Sequence, residues 1–265
     1  MTYIGFRDNT SQESTNWGAF AVVKNDGSVI SWGNPSSGGI LGVTENNSAW
    51  NNNRISFTGT VEIPRYLSSG VSQIFSTNYA FAALKENGSV ITWGARQGGG
   101  DSSEVSKYLQ SGIVNIYSSN GSFAALNKDG NVITWGSVSD SQKKQFHEIG
   151  DVKDIVRGQD SGFIALKNDG SVVLINTKDD QTFIDSFNKV SELLKQDVVE
   201  IFGDGWNNFA ALKKDGSVIA WGDKLTNFGD YYSLENVIEV NLDEGYGYFK
   251  LNDSSCVVIR SPGSI

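Results

Sequence analysis

Residues Phe81–Gly94 read FAALKENGSVITWG, and this stretch decides the architecture. Two runs of strand-forming residues flank Asn87-Gly88. Both turn residues tolerate the positive φ of a tight primed turn, so the stretch reads as a β-hairpin. The runs FAAL and VITW are apolar at consecutive positions rather than alternating. Strands covered on both faces have this pattern, because neither side meets water. The expected cover is the next hairpin sheet, with Ala82 and Ala83 permitting close approach and Trp93 as a large apolar plug.

The pattern recurs at Phe20–Gly33, Phe123–Gly136 and Phe209–Gly222, without the Trp-Gly at Phe163–Asn176, and in worn form at Tyr248–Arg260. Taking the strand phenylalanine as the mark, and Tyr248 in the last unit, the spacings are 61, 42, 40, 46 and 39 residues. Short apolar stretches precede the hairpins at Val71–Ser76, Ile113–Ser118, Val152–Val156, Val198–Phe202 and Val237–Val240. Tyr3–Phe6 is assigned the corresponding place in the first unit. Each unit then has at least three strands, and a strand-only period near 40 is the range of propeller blades. The chain reads as one all-β domain, residues 1–265. Its units are approximately 1–62, 63–106, 107–148, 149–195, 196–235 and 236–265. The expected fold is a β-propeller of six short repeats, with seven blades or an open repeat array as alternatives. Pairing of Tyr3–Phe6 with Cys256–Arg260 would join the ends of a ring.

Between repeats the pattern turns helical, at Glu104–Gln110 and at Thr182–Gln196. In the second, Phe183, Ile184, Phe187, Val190 and Leu194 share one face at 3.6 spacing, a packing stripe, with Asp180 as a candidate cap. The first unit carries an insertion over residues 34–62, about 20 residues beyond the period. Long insertions in regular repeats map to loops on one face, where binding often resides.

The unit F-A-A-L-K-x-D-G-S-V-x-x-W-G resembles the repeat of the regulator of chromosome condensation family. Trp32–Gly42 (WGNPSSGGILG) is also close to that family's W-G-x-N-x-x-G-Q-L-G. The likeness runs over all six units. It implies a β-propeller, usually of seven four-stranded blades, and the short repeats resemble those of bacterial surface or secreted proteins. The eponymous member exchanges nucleotide on a GTPase and sits on nucleosomes. By analogy, guanine-nucleotide exchange is one alternative function.

Composition argues against the chromatin role. Lys+Arg 21 against Asp+Glu 30 give a formal charge of -9, and an acidic surface repels phosphate backbones, so nucleic acid is not an expected partner. No apolar run is long enough for a membrane span. The N-terminal residues lack the basic and apolar regions of a classical signal peptide, which leaves a cytoplasmic location or export by another route.

Chemistry is sparsely represented. With one histidine, His147, and one cysteine, Cys256, no zinc or copper set can be assembled from the usual ligands, and no metal or cofactor is expected. The repeated Asp-Gly turns lack the alternating aspartates of a calcium loop. Gln97–Gly100 lacks the Lys-Ser/Thr of a phosphate loop. No Gly-x-Ser-x-Gly surrounds a serine. The residues therefore point away from an enzyme, with a propeller hydrolase as an alternative. Trp32, Trp93, Trp135 and Trp221 share one repeat position and read as packing between sheets.

Binding features are better represented. The turns between first and second strands carry Asn16, Trp17, Asn78, Tyr79, Asn120, Asp160, Trp206, Asn207 and Tyr246. The insertion adds Trp50, Asn52 and Arg54. Aromatic rings beside amides suit a protein hot spot or a stacked sugar ring. A turn-shaping role for the amides, with the aromatics covering sheet edges, is the competing reading. The expected function is a non-catalytic recognition module of bacterial type, binding a protein or glycan partner, in a toxin, effector or inhibitor.

Overall fold

A computed structural model describes residues 12–39, 65–138, 149–157, 162–176, 181–204, 208–222, 232–243 and 246–260. Among these the chain forms six antiparallel sheets in sequence order. The first sheet comprises β1 (Gln12–Thr15), β2 (Ala19–Val23) and β3 (Val29–Gly33). The second comprises β4 (Val71–Ser76), β5 (Ala80–Lys85) and β6 (Val90–Gly94). The third comprises β7 (Ile113–Ser118), β8 (Ser122–Asn127) and β9 (Val132–Gly136). The fourth comprises β10 (Val152–Arg157), β11 (Gly162–Lys167) and β12 (Val172–Asn176). The fifth has β13 (Val198–Gly203), β14 (Asn208–Lys213), β15 (Val218–Gly222) and a fourth strand, β16 (Tyr232–Leu234). The last comprises β17 (Val237–Asp243), β18 (Tyr246–Leu251) and β19 (Cys256–Arg260). Residues 1–123 with 135–137 form one compact unit, and residues 124–134 with 138–265 form another.

The hairpins follow from their turns. Asp26, Asp169, Asp215 and Asp253 each accept the backbone N–H and the hydroxyl of the serine two residues on. Asn87 does the same with Ser89. In the four aspartate turns these bonds, the serine hydroxyl's being the largest, hold the carboxyl below the usual carboxylate range. Gly88 has φ 74°, and a Cβ there would lie 2.6 Å from the Gly112 backbone nitrogen. Its own carbonyl accepts the Ile113 N–H. The turn of one unit thus seats the first strand of the next.

Packing between sheets is equally regular. In β5 five consecutive residues are buried, as consecutive apolar runs require. Ala19, Ala21, Val23 and Val29 of the first sheet pack with Phe81, Ala83, Ile91 and Trp93 of the second. Small residues on one face receive the large ones of the next. Each repeat phenylalanine stacks on its tryptophan: Phe81 on Trp93 at 5.2 Å, Phe123 on Trp135 at 5.2 Å and Phe209 on Trp221 at 5.6 Å. The Trp93 and Trp135 indole N–H groups donate to the carbonyls of Gly38 and Gly99 in the preceding connections.

Between the fourth and fifth sheets stands α1 (Gln181–Val190), followed by a 3-10 turn over Ser191–Leu194. Its Phe187, Val190 and Leu194 enter a core with Trp221, as the stripe requires, and Phe187 meets Trp221 edge-on. The Phe183 side chain and Asp180 lie outside the described residues. The segment near Glu104–Gln110 is a 3-10 helix over Ser103–Tyr108. No helix among the described residues is long and apolar enough to cross a membrane.

Three expectations are corrected. The strand pairing with β2 is Gln12–Thr15, with Thr15 opposite Phe20; Tyr3–Phe6 lies outside the described residues. This strand is wholly polar in sequence, so no apolar run marks it. In the last sheet, Val237 pairs with Leu251, as Val71 pairs with Lys85. That register puts Gly247, not Tyr248, at the phenylalanine position, and Ile259 opposite it in place of tryptophan. Trp32, finally, is 48% exposed, whereas Trp135 and Trp221 are 3% and 1%.

Candidate partner-binding surface

The turns between first and second strands are built alike in the first three sheets. Four residues before the repeat phenylalanine stands a side chain that locks the turn. Asn16 Oδ1 accepts the N–H groups of Gly18 and Ala19, and its Nδ2 donates to the Ser37 carbonyl. Thr77 Oγ1 accepts the Ala80 N–H at 3.1 Å and donates to the Gly98 carbonyl at 2.8 Å. Ser119 shares a hydroxyl–hydroxyl bond with Ser122 at 2.7 Å. Ser119 falls in a turn legible from sequence, whereas Thr77 was missed. Its distance before the phenylalanine, the same as that of Asn16 and Ser119, is the signal that would have found it. The Asn16 side chain is committed inside the turn, as the turn-shaping reading requires.

The next position in each turn forms a ladder across the sheets. The Trp17 N–H donates to the Asn78 carbonyl at 3.1 Å, and the Asn78 N–H donates to the Asn120 carbonyl at 2.9 Å. Trp17, Asn78 and Asn120 therefore occupy one row, fixed by backbone. Tyr79 follows Asn78, lies over Gly98, where a Cβ would be 3.0 Å from the tyrosine Cβ, and meets Trp17 edge-to-face with centroids 5.6 Å apart. Trp17 is 75% exposed and Tyr79 is 43% exposed. An aromatic pair of this kind is held in place yet open to solvent. The Asn78 side-chain amide has no partner among the described residues and stands beside it. Arg96 and Asp101, paired at 3.1 Å, flank the Gly98 turn.

The structure thus brings Asn16, Trp17, Asn78, Tyr79 and Asn120 together on one row of turns. Tyr246 begins β18, where its backbone pairs with Asp243 and Arg260. Trp50, Asn52, Arg54, Asp160, Trp206 and Asn207 lie outside the described residues, as does His147. Among the described residues no group of three or more His, Cys, Asp or Glu could hold a metal ion.

No protein-family model matches the sequence, and no curated protein matches it. Solved structures do. Prp20p from Saccharomyces cerevisiae, whose crystal structure was described with its binding properties to Gsp1p and histones, superposes with a TM-score of 0.53. The identity is 18%, over 93% of this chain and 70% of that one. This chain has an RCC1-like β-propeller fold. Yeast RCC1 (Prp20) bound to Kap60 gives a TM-score of 0.50 at 15% identity, over 93% of this chain and 69% of that one. At such identities the likeness concerns fold, and function rests on the site.

Proposed function

We propose that this protein is a non-catalytic recognition module, of bacterial toxin, effector or inhibitor type, that binds a protein partner through the turns between its first and second strands. The observation that carries this reading is the exposed Trp17–Tyr79 pair, seated on a row of hydrogen-bonded turns. Tryptophan and tyrosine dominate interface energetics when they are rigid and reachable, because little conformational entropy is lost on burying them. The Asn78 amide supplies a donor and an acceptor at the rim. Prp20, the fold neighbour, binds Gsp1p, histones and Kap60, which supports protein recognition as a use of this fold. The same ring-and-amide arrangement suits a stacked sugar, the second ligand class.

The test is a pull-down beside a glycan array, run with the wild-type chain and with Trp17→Ala and Tyr79→Ala. Capture of one stoichiometric protein by the wild type, lost in both variants at unchanged melting temperature, supports the reading. Saturable glycan binding with the same mutational pattern moves the site to the sugar class. Binding that survives both substitutions refutes the assignment of this surface. Acceleration of nucleotide release from a small GTPase, unaffected by either change, would favour the exchange-factor alternative.

A further inference from the structure

The tripeptide Asn-Gly-Ser stands in two turns of different kind, at Asn87–Ser89 and at Asn120–Ser122. Asparagine followed by glycine is prone to lose its side-chain amide, because a neighbour without a Cβ lets its backbone nitrogen close on the asparagine Cγ. That nitrogen is the nucleophile. It reacts when its N–H is not held by another acceptor and when the side chain is free to turn toward it. At Asn87 both conditions fail. The Gly88 N–H donates to the Lys85 carbonyl at 2.8 Å, and Asn87 Oδ1 accepts the Ser89 N–H at 3.0 Å and its hydroxyl at 2.7 Å. The neighbouring unit's backbone also confines Gly88, since a Cβ there would lie 2.6 Å from the Gly112 nitrogen.

At Asn120 the nucleophile is left open. In the sister turns the corresponding N–H is held by the locking side chain, Gly18 by Asn16 Oδ1 at 3.1 Å and Tyr79 by Thr77 Oγ1 at 3.4 Å. In the third sheet the lock, Ser119, bonds the Ser122 hydroxyl instead, at 2.7 Å. The Gly121 N–H has no hydrogen-bond partner among the described residues. A Cβ on Gly121 would meet nothing closer than the Ser137 Cβ at 3.3 Å, so the turn has room to move. Exposure alone would favour Asn87, which is exposed where Asn120 is half-buried. Hydrogen bonding reverses that order.

We propose that Asn120 is a site of spontaneous deamidation, selected by the fold over Asn87. The Gly121 nitrogen gives its proton to solvent and attacks Asn120 Cγ. The new C–N bond closes a succinimide as the Cγ–Nδ2 bond breaks and ammonia leaves. Water then opens the ring at either carbonyl, giving aspartate or isoaspartate. Both products place a negative charge in the row of turns. Isoaspartate also adds a methylene to the backbone, displacing the Asn120 carbonyl that accepts the Asn78 N–H at 2.9 Å. The modification thus alters the proposed recognition row, yet the reaction involves no partner and is tested apart from that reading.

The test is incubation of the full chain in weakly alkaline buffer, followed by mass-spectrometric peptide mapping that separates asparagine, aspartate and isoaspartate. The same incubation in urea gives the unfolded rates, which the shared tripeptide makes similar at the two sites. Folding should slow Asn87 at least about tenfold more than Asn120, the factor in rate that breaking one ordinary hydrogen bond costs. Ser119→Asn offers the Gly121 N–H the acceptor that Asn16 offers Gly18, and should slow Asn120 in the folded chain while leaving Asn87 unchanged. Equal protection of the two sites, or greater protection of Asn120, overturns the proposal. So does an unchanged Asn120 rate in Ser119→Asn at unaltered melting temperature. If that variant does not fold, the wild-type comparison decides alone.

Discussion

Trp135 and Trp221 occupy one repeat position and are both buried, yet among the described residues only one has a hydrogen-bond partner. Trp135 Nε1 donates to the Gly99 carbonyl at 3.0 Å, whereas Trp221 Nε1 is buried with no partner among the described residues. At Trp221, α1 brings Phe187 edge-on against the indole ring. Trp→Phe at either site keeps the stack on the repeat phenylalanine and removes about the same volume, so the cavity cost cancels in a comparison. At Trp135 the change also leaves the buried Gly99 carbonyl without its donor, costing about 1–3 kcal/mol. At Trp221 it removes a polar group already lacking a partner, which returns a similar penalty of about 1–3 kcal/mol. Trp135→Phe should therefore be more destabilising than Trp221→Phe by about 2 kcal/mol or more, the lower bounds of the two terms combined. Urea unfolding followed by far-UV circular dichroism measures the gap. Equal losses, or a larger loss at Trp221, would refute the hydrogen-bond account and leave only volume.

Gly88→Ala and Gly88→Asn should be similarly destabilising, each by more than about 1 kcal/mol, because backbone blocks any Cβ although asparagine tolerates positive φ; tolerance of asparagine alone, in the same unfolding assay, would reduce the requirement to φ. Trp17→Ala and Tyr79→Ala should change stability by less than about 1 kcal/mol, as exposed positions do, while weakening partner binding tenfold or more in titration calorimetry, roughly 1.4 kcal/mol. Asp26, Asp169, Asp215 and Asp253 have folded carboxyls below their ordinary value. Their contribution to stability is therefore present above about pH 4 and is lost as the pH falls through the folded values. Changing all four to Asn, which keeps the turn bonds as Asn87 does, should move the acid midpoint seen by circular dichroism to lower pH, and an unmoved midpoint would place acid sensitivity elsewhere.

The hairpins were legible in the sequence because their causes are local. Asp/Asn-Gly-Ser fixes a turn within three residues, and consecutive apolar residues on both sides of it demand cover on both faces. Repetition of that pattern predicts stacked sheets, and the α1 stripe was readable for the same reason. Other features depended on neighbours distant in the chain. The register of the last sheet is set by pairing with β17, which moved the repeat position from Tyr248 to Gly247. β1 is a strand because β2 needs an edge partner, not because Gln-Glu-Ser-Thr prefers extension. Asn16 and Trp17 looked like one kind of turn residue in sequence. Tertiary structure separated them, turning the Asn16 side chain inward to bond backbone and leaving the Trp17 ring outside against Tyr79. Trp32 and Trp135 share a motif and differ in how far the surrounding structure covers them. Sequence composition specifies what a side chain can do, while exposure and hydrogen-bond satisfaction depend on which surface arrives opposite it.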